Sequence, residues 1–211
     1  MINKAIIFDL DGTLWDSSKE VVSAWNIALE RCEDIDFKLT IQDMHNLMGK
    51  QLDEIFRIIL GDISEQRRFE IMEECVKEED LYIRQNGGEL YPKLEETLIK
   101  LSQNYKLFIV SNCQEGYIEA FLEYHNIEKY FLDTENAGKT KKSKGENIKL
   151  IIERNNLDKA VYVGDTEGDY EAAMFAGIPF IHAKYGFGQI KEKTHFINEL
   201  SQLPNLASTL F

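Results

Sequence analysis

Four aspartates set the chemical question. Asp9 and Asp11 flank one residue in Asp9-Leu10-Asp11-Gly12-Thr13, and Asp165 and Asp169 bracket Thr166-Glu167-Gly168. Carboxylates held a few ångströms apart raise one another's pKa, so a fold that gathers them must also supply cations. No His or Cys interrupts these clusters. Oxygen-only ligands suit a hard divalent ion such as Mg²⁺, which keeps several waters and bridges to substrate phosphate. The chemistry such a site performs is phosphoryl transfer, in which the protein positions the reactants and offsets charge on the equatorial oxygens. Asp9, Asp165, Asp169 and a phosphate dianion together outweigh one Mg²⁺, so a lysine is expected as well. Lys139, Lys141, Lys142 and Lys144 form a basic cluster in an otherwise acidic chain, and spacing alone does not choose among them.

The elements that must position these residues are legible in the hydrophobic pattern. Ala5-Ile6-Ile7-Phe8, Leu107-Phe108-Ile109-Val110, Val161-Tyr162-Val163 and Pro179-Phe180-Ile181 are short continuous apolar runs, as expected of strands buried on both faces. Helix-period stretches run from Leu94 to Leu101, Tyr117 to Tyr124, Ile148 to Ile152 and Tyr170 to Phe175. Strands alternating with helices predict an α/β core, a Rossmann-like parallel sheet covered on both sides. Asp9-Leu10-Asp11, Ser111-Asn112 and Gly164-Asp165 each directly follow an apolar run. Open α/β sheets place their ligand sites outside the carboxyl ends of the strands, so the three clusters are positioned to converge. Taken singly, Asp and Gly at a strand end are ordinary turn residues.

The segment 17–87 breaks the alternation. It is strongly charged and helical in period: Val21, Trp25, Ala28 and Cys32 share one helical face, and further helical patterns run through Leu52 to Leu60 and Glu65 to Ile83. The expectation is a small helical domain at 17–87 inserted into a core made of 1–16 and 88–211, with linkers near Asp16 and Gly87-Gly88. Cys32, Cys75 and Cys113 are widely spaced and read as reduced thiols. A net charge of -13 over 211 residues, with no basic stripe, argues against a nucleic-acid partner. No apolar run reaches the length of a membrane span, and Met1-Ile2-Asn3-Lys4 does not resemble a secretory signal, so a cytoplasmic protein without a membrane partner is expected.

Asp9-Leu10-Asp11-Gly12-Thr13-Leu14 resembles the first motif of the haloacid dehalogenase superfamily, Asp-x-Asp-Gly-Thr after a buried strand. Ser111-Asn112 resembles the second motif, Lys144 the third, and Gly164-Asp165 with Asp169 the fourth, in family order across nearly the whole chain. The resemblance implies that Asp9 is a nucleophile and a Mg²⁺ ligand. It makes Asp11 the general acid and base, with its backbone carbonyl on the metal. Asp165 would complete the protein's ligands, Asp169 would support the metal or orient the lysine, and Ser111, Asn112 and Lys144 would hold the phosphoryl oxygens. Lys144 lies where a helix begins ahead of Ile148, Ile151 and Ile152, the usual place of the third-motif lysine; Gly145 stands where a proline often follows. An acidic residue at Asp11 favours phosphate transfer over carbon-halogen cleavage.

A helical insert directly after the first motif is similar to the cap of the branch containing phosphoglycolate phosphatase and beta-phosphoglucomutase. It implies a phosphatase acting on a small phosphorylated metabolite. A phosphomutase with the same aspartyl-phosphate chemistry and a catalytically idle binding module remain alternatives. Within the insert Lys50 is a candidate for reaching the substrate, and Trp15 with Asp16 could line the access route. Gly138-Lys139-Thr140 is not a P-loop, because Asp133 stands where that pattern requires Gly.

Overall fold

The computed structural model describes residues 2–211. The chain opens with β1 (Lys4–Phe8) and a short β2 (Trp15–Asp16), then runs through α1 (Ser18–Leu29), α2 (Ile41–Leu47), α3 (Leu52–Leu60) and α4 (Glu65–Asn86). It returns through β3 (Glu89–Leu90), α5 (Leu94–Ser102), β4 (Lys106–Ser111), α6 (Tyr117–His125) and β5 (Phe131–Asn136). Then follow α7 (Ala137–Thr140), α8 (Lys144–Arg154), β6 (Lys159–Gly164), α9 (Glu167–Ala176), β7 (Phe180–Ala183), β8 (His195–Ile197) and α10 (Leu203–Leu210).

Six strands form one sheet in the order β5-β4-β1-β6-β7-β8, parallel at every pairing. Alternate side chains of the central strands point to opposite layers. Ile6, Phe8, Ile109 and Val163 join one apolar cluster, while Ala5, Ile7, Val110 and Tyr162 join the other with Ile148 and Ile151 of α8. Burial on both faces is why these strands read as unbroken apolar runs rather than as alternating ones. From β1 the chain winds to β4 and β5 on one side, then crosses to β6 on the other. The β1–β6 junction is therefore the switch point, where an open α/β sheet leaves a crevice at its carboxyl edge.

Two strands of this sheet escaped the pattern reading. β5 and β8 are the edges of the sheet. β5 carries Asp133 and Glu135, whose charges are met by Arg154 of α8 rather than excluded from the strand. The helices of 17–87 are attached through β2 and β3, which pair antiparallel with Trp15 opposite Leu90 and Asp16 opposite Glu89, so the outgoing and returning chains run side by side. On α4 the buried positions Ile71, Cys75, Glu79 and Ile83 recur every four residues and form the stripe that faces inward. Among the described residues no helix is long and apolar enough to cross a membrane.

Candidate active site

β1 ends at Phe8, and the next backbone amide, of Asp9, donates to the Val163 carbonyl of β6 at 2.8 Å. This fixes Asp9 at the switch point. The turn beyond it is tight: Gly12 has φ of 79°, and a Cβ there would lie 2.3 Å from Oδ2 of Asp165. Only glycine allows the first aspartate loop and the Asp165 loop to approach so closely.

Asp9, Asp165 and Asp169 each bring a carboxylate oxygen to within 4.8 Å of the others, and all three are buried. Lys144 Nζ, also buried, donates to Asp9 Oδ1 at 2.8 Å and to Asp169 Oδ1 at 2.6 Å. Burial alone would lower the lysine's pKa, but the carboxylates of Asp169 and Asp9 outweigh it and hold the ammonium charged. Burial, and next to it the charge of Asp169, push Asp9 well above the ordinary carboxylate range despite Lys144. The same two causes push Asp165 up to about 7. One ammonium does not neutralise this group, and a divalent cation would supply the balancing charge.

The donor set fits such an ion. Asp165 Oδ2 is occupied by the backbone amides of Phe187 and Gly188 at 2.7 and 3.3 Å, whereas its Oδ1 is buried without a partner. A buried carboxylate oxygen with no donor is costly unless a cation or water binds it, and oxygen ligands alone suit Mg²⁺.

Asp169 does two jobs through its two oxygens. Oδ2 accepts from the Thr166 amide, the Thr166 hydroxyl and the Asp165 amide at 2.9, 2.7 and 3.1 Å, closing a capping box at the start of α9, while Oδ1 holds Lys144. Lys144 is likewise set by a capping box: Ser143 caps α8 with Glu146, which puts Lys144 at the first helical position. Gly145 is needed there because a Cβ would come within 2.7 Å of the Phe175 ring. Lys139, Lys141 and Lys142 are exposed.

Asp11 stands in a separate network. Its Oδ1 accepts from Ser17 Oγ at 2.7 Å, Trp15 Nε1 at 2.9 Å and Tyr117 OH at 3.1 Å. Burial raises its pKa, and these hydrogen bonds only partly offset the rise. Neither Ser17 nor Tyr117 was singled out in the sequence; Tyr117, beginning a helix more than a hundred residues away, carries no local signal.

A cavity of about 50 Å³ opens from this cluster, lined by Asp9, Asp11, Ser111, Asn112, Gln114 and Lys144 from the sheet side and by residues of the helical segment. Ser111 Oγ accepts from the Cys113 amide at 3.3 Å. Asn112 Nδ2 donates to the Gly49 carbonyl at 2.8 Å, so this amide ties the helical segment to the sheet, while its Oδ1 stays buried and unpartnered. Lys50 borders the cavity, yet its ammonium is taken by Glu54. Trp15 departs from expectation. It is fully buried against Tyr117, Phe121 and His125 and does not line the access route; its indole orients Asp11 instead. Asp16 binds the amide and hydroxyl of Ser18 at the start of α1.

The family model for haloacid dehalogenase-like hydrolases matches residues 6–183, most of the chain and all four clusters. The chain belongs to that family. Phosphoglycolate phosphatase of Vibrio parahaemolyticus is 30% identical over 200 residues, covering 87% of this chain and 85% of its own. Phosphoglycolate phosphatase of Aquifex aeolicus is 27% identical, covering 90% and 89%. Among solved structures, a haloacid dehalogenase-like family protein of Streptococcus pneumoniae superposes with a TM-score of 0.79 at 22% identity, covering 99% of this chain and 98% of that one. These relatives make the chain an enzyme of the phosphatase kind.

Proposed function

We propose that this enzyme is a Mg²⁺-dependent phosphatase that hydrolyses a small phosphate monoester through a phosphoryl group carried on Asp9. The observation that carries the reading is the division of labour among the carboxylates. Asp9, Asp165 and Asp169 surround Lys144, while Asp11, two residues from Asp9, is wired to Ser17, Trp15 and Tyr117 and has a raised pKa.

Asp9 and Asp165, with the Asp11 carbonyl, would hold Mg²⁺, and the ion when bound supplies a Lewis-acid contact that offsets charge on the phosphoryl oxygens. A carboxylate oxygen of Asp9 attacks phosphorus, and the bond from phosphorus to the ester oxygen breaks. Asp11, in its protonated form, gives its proton to the departing alcohol. Water then attacks the aspartyl-phosphate, Asp11 takes back a proton, and inorganic phosphate leaves with Asp9 restored. Lys144 and the Ser111 hydroxyl bind the phosphoryl oxygens, Asp169 keeps Lys144 aimed at them, and Asn112, its side-chain amide on the Gly49 carbonyl, would reach them through its backbone amide. The helices of 17–87 close over this chemistry as a cap that excludes water.

Release of phosphate from an aryl phosphate tests the reading. Activity should be lost in chelator, return with Mg²⁺, and be abolished in Asp9→Asn with the fold intact by circular dichroism. Full turnover in excess chelator, or in Asp9→Asn, would remove this mechanism.

A further inference from the structure

The helical segment's share of the cavity wall is apolar, from Val21, Trp25, Met44, Leu52 and Ile55, with two charged exceptions. Lys50 sits at the margin, engaged by Glu54. The other is Glu79, on the inward stripe of α4 and 3% exposed. Its Oε2 accepts from Trp25 Nε1 at 2.5 Å, and the charges acting on it, Asp11 and Asp80, are negative. Beside it, Gln114 lines the same cavity; its side chain faces Glu79 and lowers the carboxyl's pKa, yet its buried Nε2 closes no hydrogen bond of full geometry.

A carboxyl group in an apolar helix stripe costs stability, because it loses solvation without gaining a counter-ion. An apolar residue in line with Ile71, Cys75 and Ile83 would pack there without that cost. The cavity supplies the reason to keep it: Glu79 offers an acceptor, and Gln114 a donor held only loosely by it, on the wall of the cavity that Asp9 also lines. Room of about 50 Å³, where each water needs roughly 10–15 Å³ by the same measure, holds a few heavy atoms, and it adjoins a wider cavity through Met48, Gly49 and Lys50, so Glu79 and Gln114 meet the first atoms of the leaving group.

We propose that Glu79 and Gln114 form the leaving-group subsite, and that the substrates are short aliphatic phosphate monoesters bearing a hydrogen-bond donor, a hydroxyl or an ammonium, in place of a carboxylate. This rests on the phosphatase reading above. A substrate hydroxyl donates to Glu79 and accepts from Gln114; an ammonium donates to Glu79 alone. Above about pH 7, where Glu79 is ionised, a substrate carboxylate would meet it as a like charge. The cavity's two lysines are otherwise committed, Lys50 to Glu54 and Lys144 to Asp9, Asp169 and the phosphoryl group, so neither is left for a second anion. The chain would thus differ in substrate from the relatives named phosphoglycolate phosphatase.

The test compares kcat/KM of the Mg²⁺-loaded enzyme on glycerol 3-phosphate, phosphoethanolamine, phosphoglycolate and an aryl phosphate, for wild type and Glu79→Gln. Wild type should prefer at least one donor-bearing ester to phosphoglycolate by about tenfold or more, and the glycerol and ethanolamine arms tell hydroxyl from ammonium. Glu79→Gln keeps the shape and an acceptor for Trp25, so it should shrink that ratio by about tenfold; a merely structural defect would lower all rates together and leave the ratio in place. A wild-type preference for phosphoglycolate, or a ratio unmoved by Glu79→Gln, overturns this assignment while Mg²⁺-dependent, Asp9-dependent turnover of the aryl phosphate keeps the phosphatase reading. Absence of turnover on every ester overturns both.

Discussion

At the scale of single residues, two aspartates separated by one leucine receive different environments and hence different work. Asp9 lies against Lys144 and the other acids, whereas Asp11 faces neutral donors in a buried pocket. The lysine assignment is equally local. Lys144→Ala should cut turnover by orders of magnitude, because it strips a buried ammonium from Asp9 and Asp169; Lys139→Ala, Lys141→Ala and Lys142→Ala, all at exposed positions, should stay within a few-fold. Steady-state kinetics on the four variants decides it, and an indispensable Lys141 or Lys142 would overturn it. Glu79 makes a second residue-scale prediction. Burial raises its pKa from 4.5 to about 7, so the folded state holds the proton more tightly than the unfolded chain. The stability linked to that proton is full below the unfolded value and is lost as pH rises through the folded one. The loss is on the order of 3 kcal/mol. Chemical denaturation across this window should show Glu79→Gln gaining on wild type as pH rises; parallel profiles would refute it. Asp9, Asp11 and Asp165 were legible because motif and strand end coincide, and Asp169 and Lys144 because their motifs open helices. Glu79 was legible in principle, as a charge in the Ile71-Cys75-Ile83 stripe, but it resembles a solvated acid in a helix that holds many.

At the scale of elements, the site is assembled by turns and helix starts rather than by helix or strand interiors. Two capping boxes, Ser143 with Glu146 and Thr166 with Asp169, set the first turns of α8 and α9, and in the second the capping carboxylate also anchors Lys144. Losing such a cap costs about 1 kcal/mol in stability, a modest sum beside its effect on geometry. Gly12 is the sharpest test. Its positive φ and the 2.3 Å that would separate a Cβ from Asp165 make Gly12→Ala unfavourable twice over. The variant should melt several degrees lower and lose most activity, since the clash pushes Asp165 away from Asp9; a wild-type melting curve with wild-type kinetics would contradict this placement. The apolar strands and main helices could be read from sequence because burial on both faces leaves continuous runs. The edge strands β5 and β8 and the two-residue pair β2–β3 could not, since β5 settles its charges through Arg154 and so short a pair has no period to detect. Nor could the Phe187-Gly188 amides that hold Asp165, because backbone donors leave no residue signature.

At the scale of the whole molecule, the sheet's switch point gathers three sequence-distant clusters, and the helices of 17–87 meet them through the paired β2–β3 crossing and the Asn112–Gly49 hydrogen bond. The first arrangement concentrates negative charge that a cation and a phosphate together resolve. The second sets an apolar roof over it, interrupted by Glu79. Both serve the claim that phosphate passes through Asp9 on its way to water. The direct test uses Asp11→Asn, which removes the acid and base while keeping Asp9 and Lys144. This variant should turn over about 10²- to 10⁴-fold more slowly. With an activated aryl ester, whose leaving group needs no proton, the first step should outrun the second and the phosphoryl-enzyme should accumulate. Acid quench followed by peptide mass spectrometry should find the phosphoryl group on Asp9. Phosphate located on another residue, or steady turnover with no phosphoryl-enzyme trapped in this variant, would contradict the account.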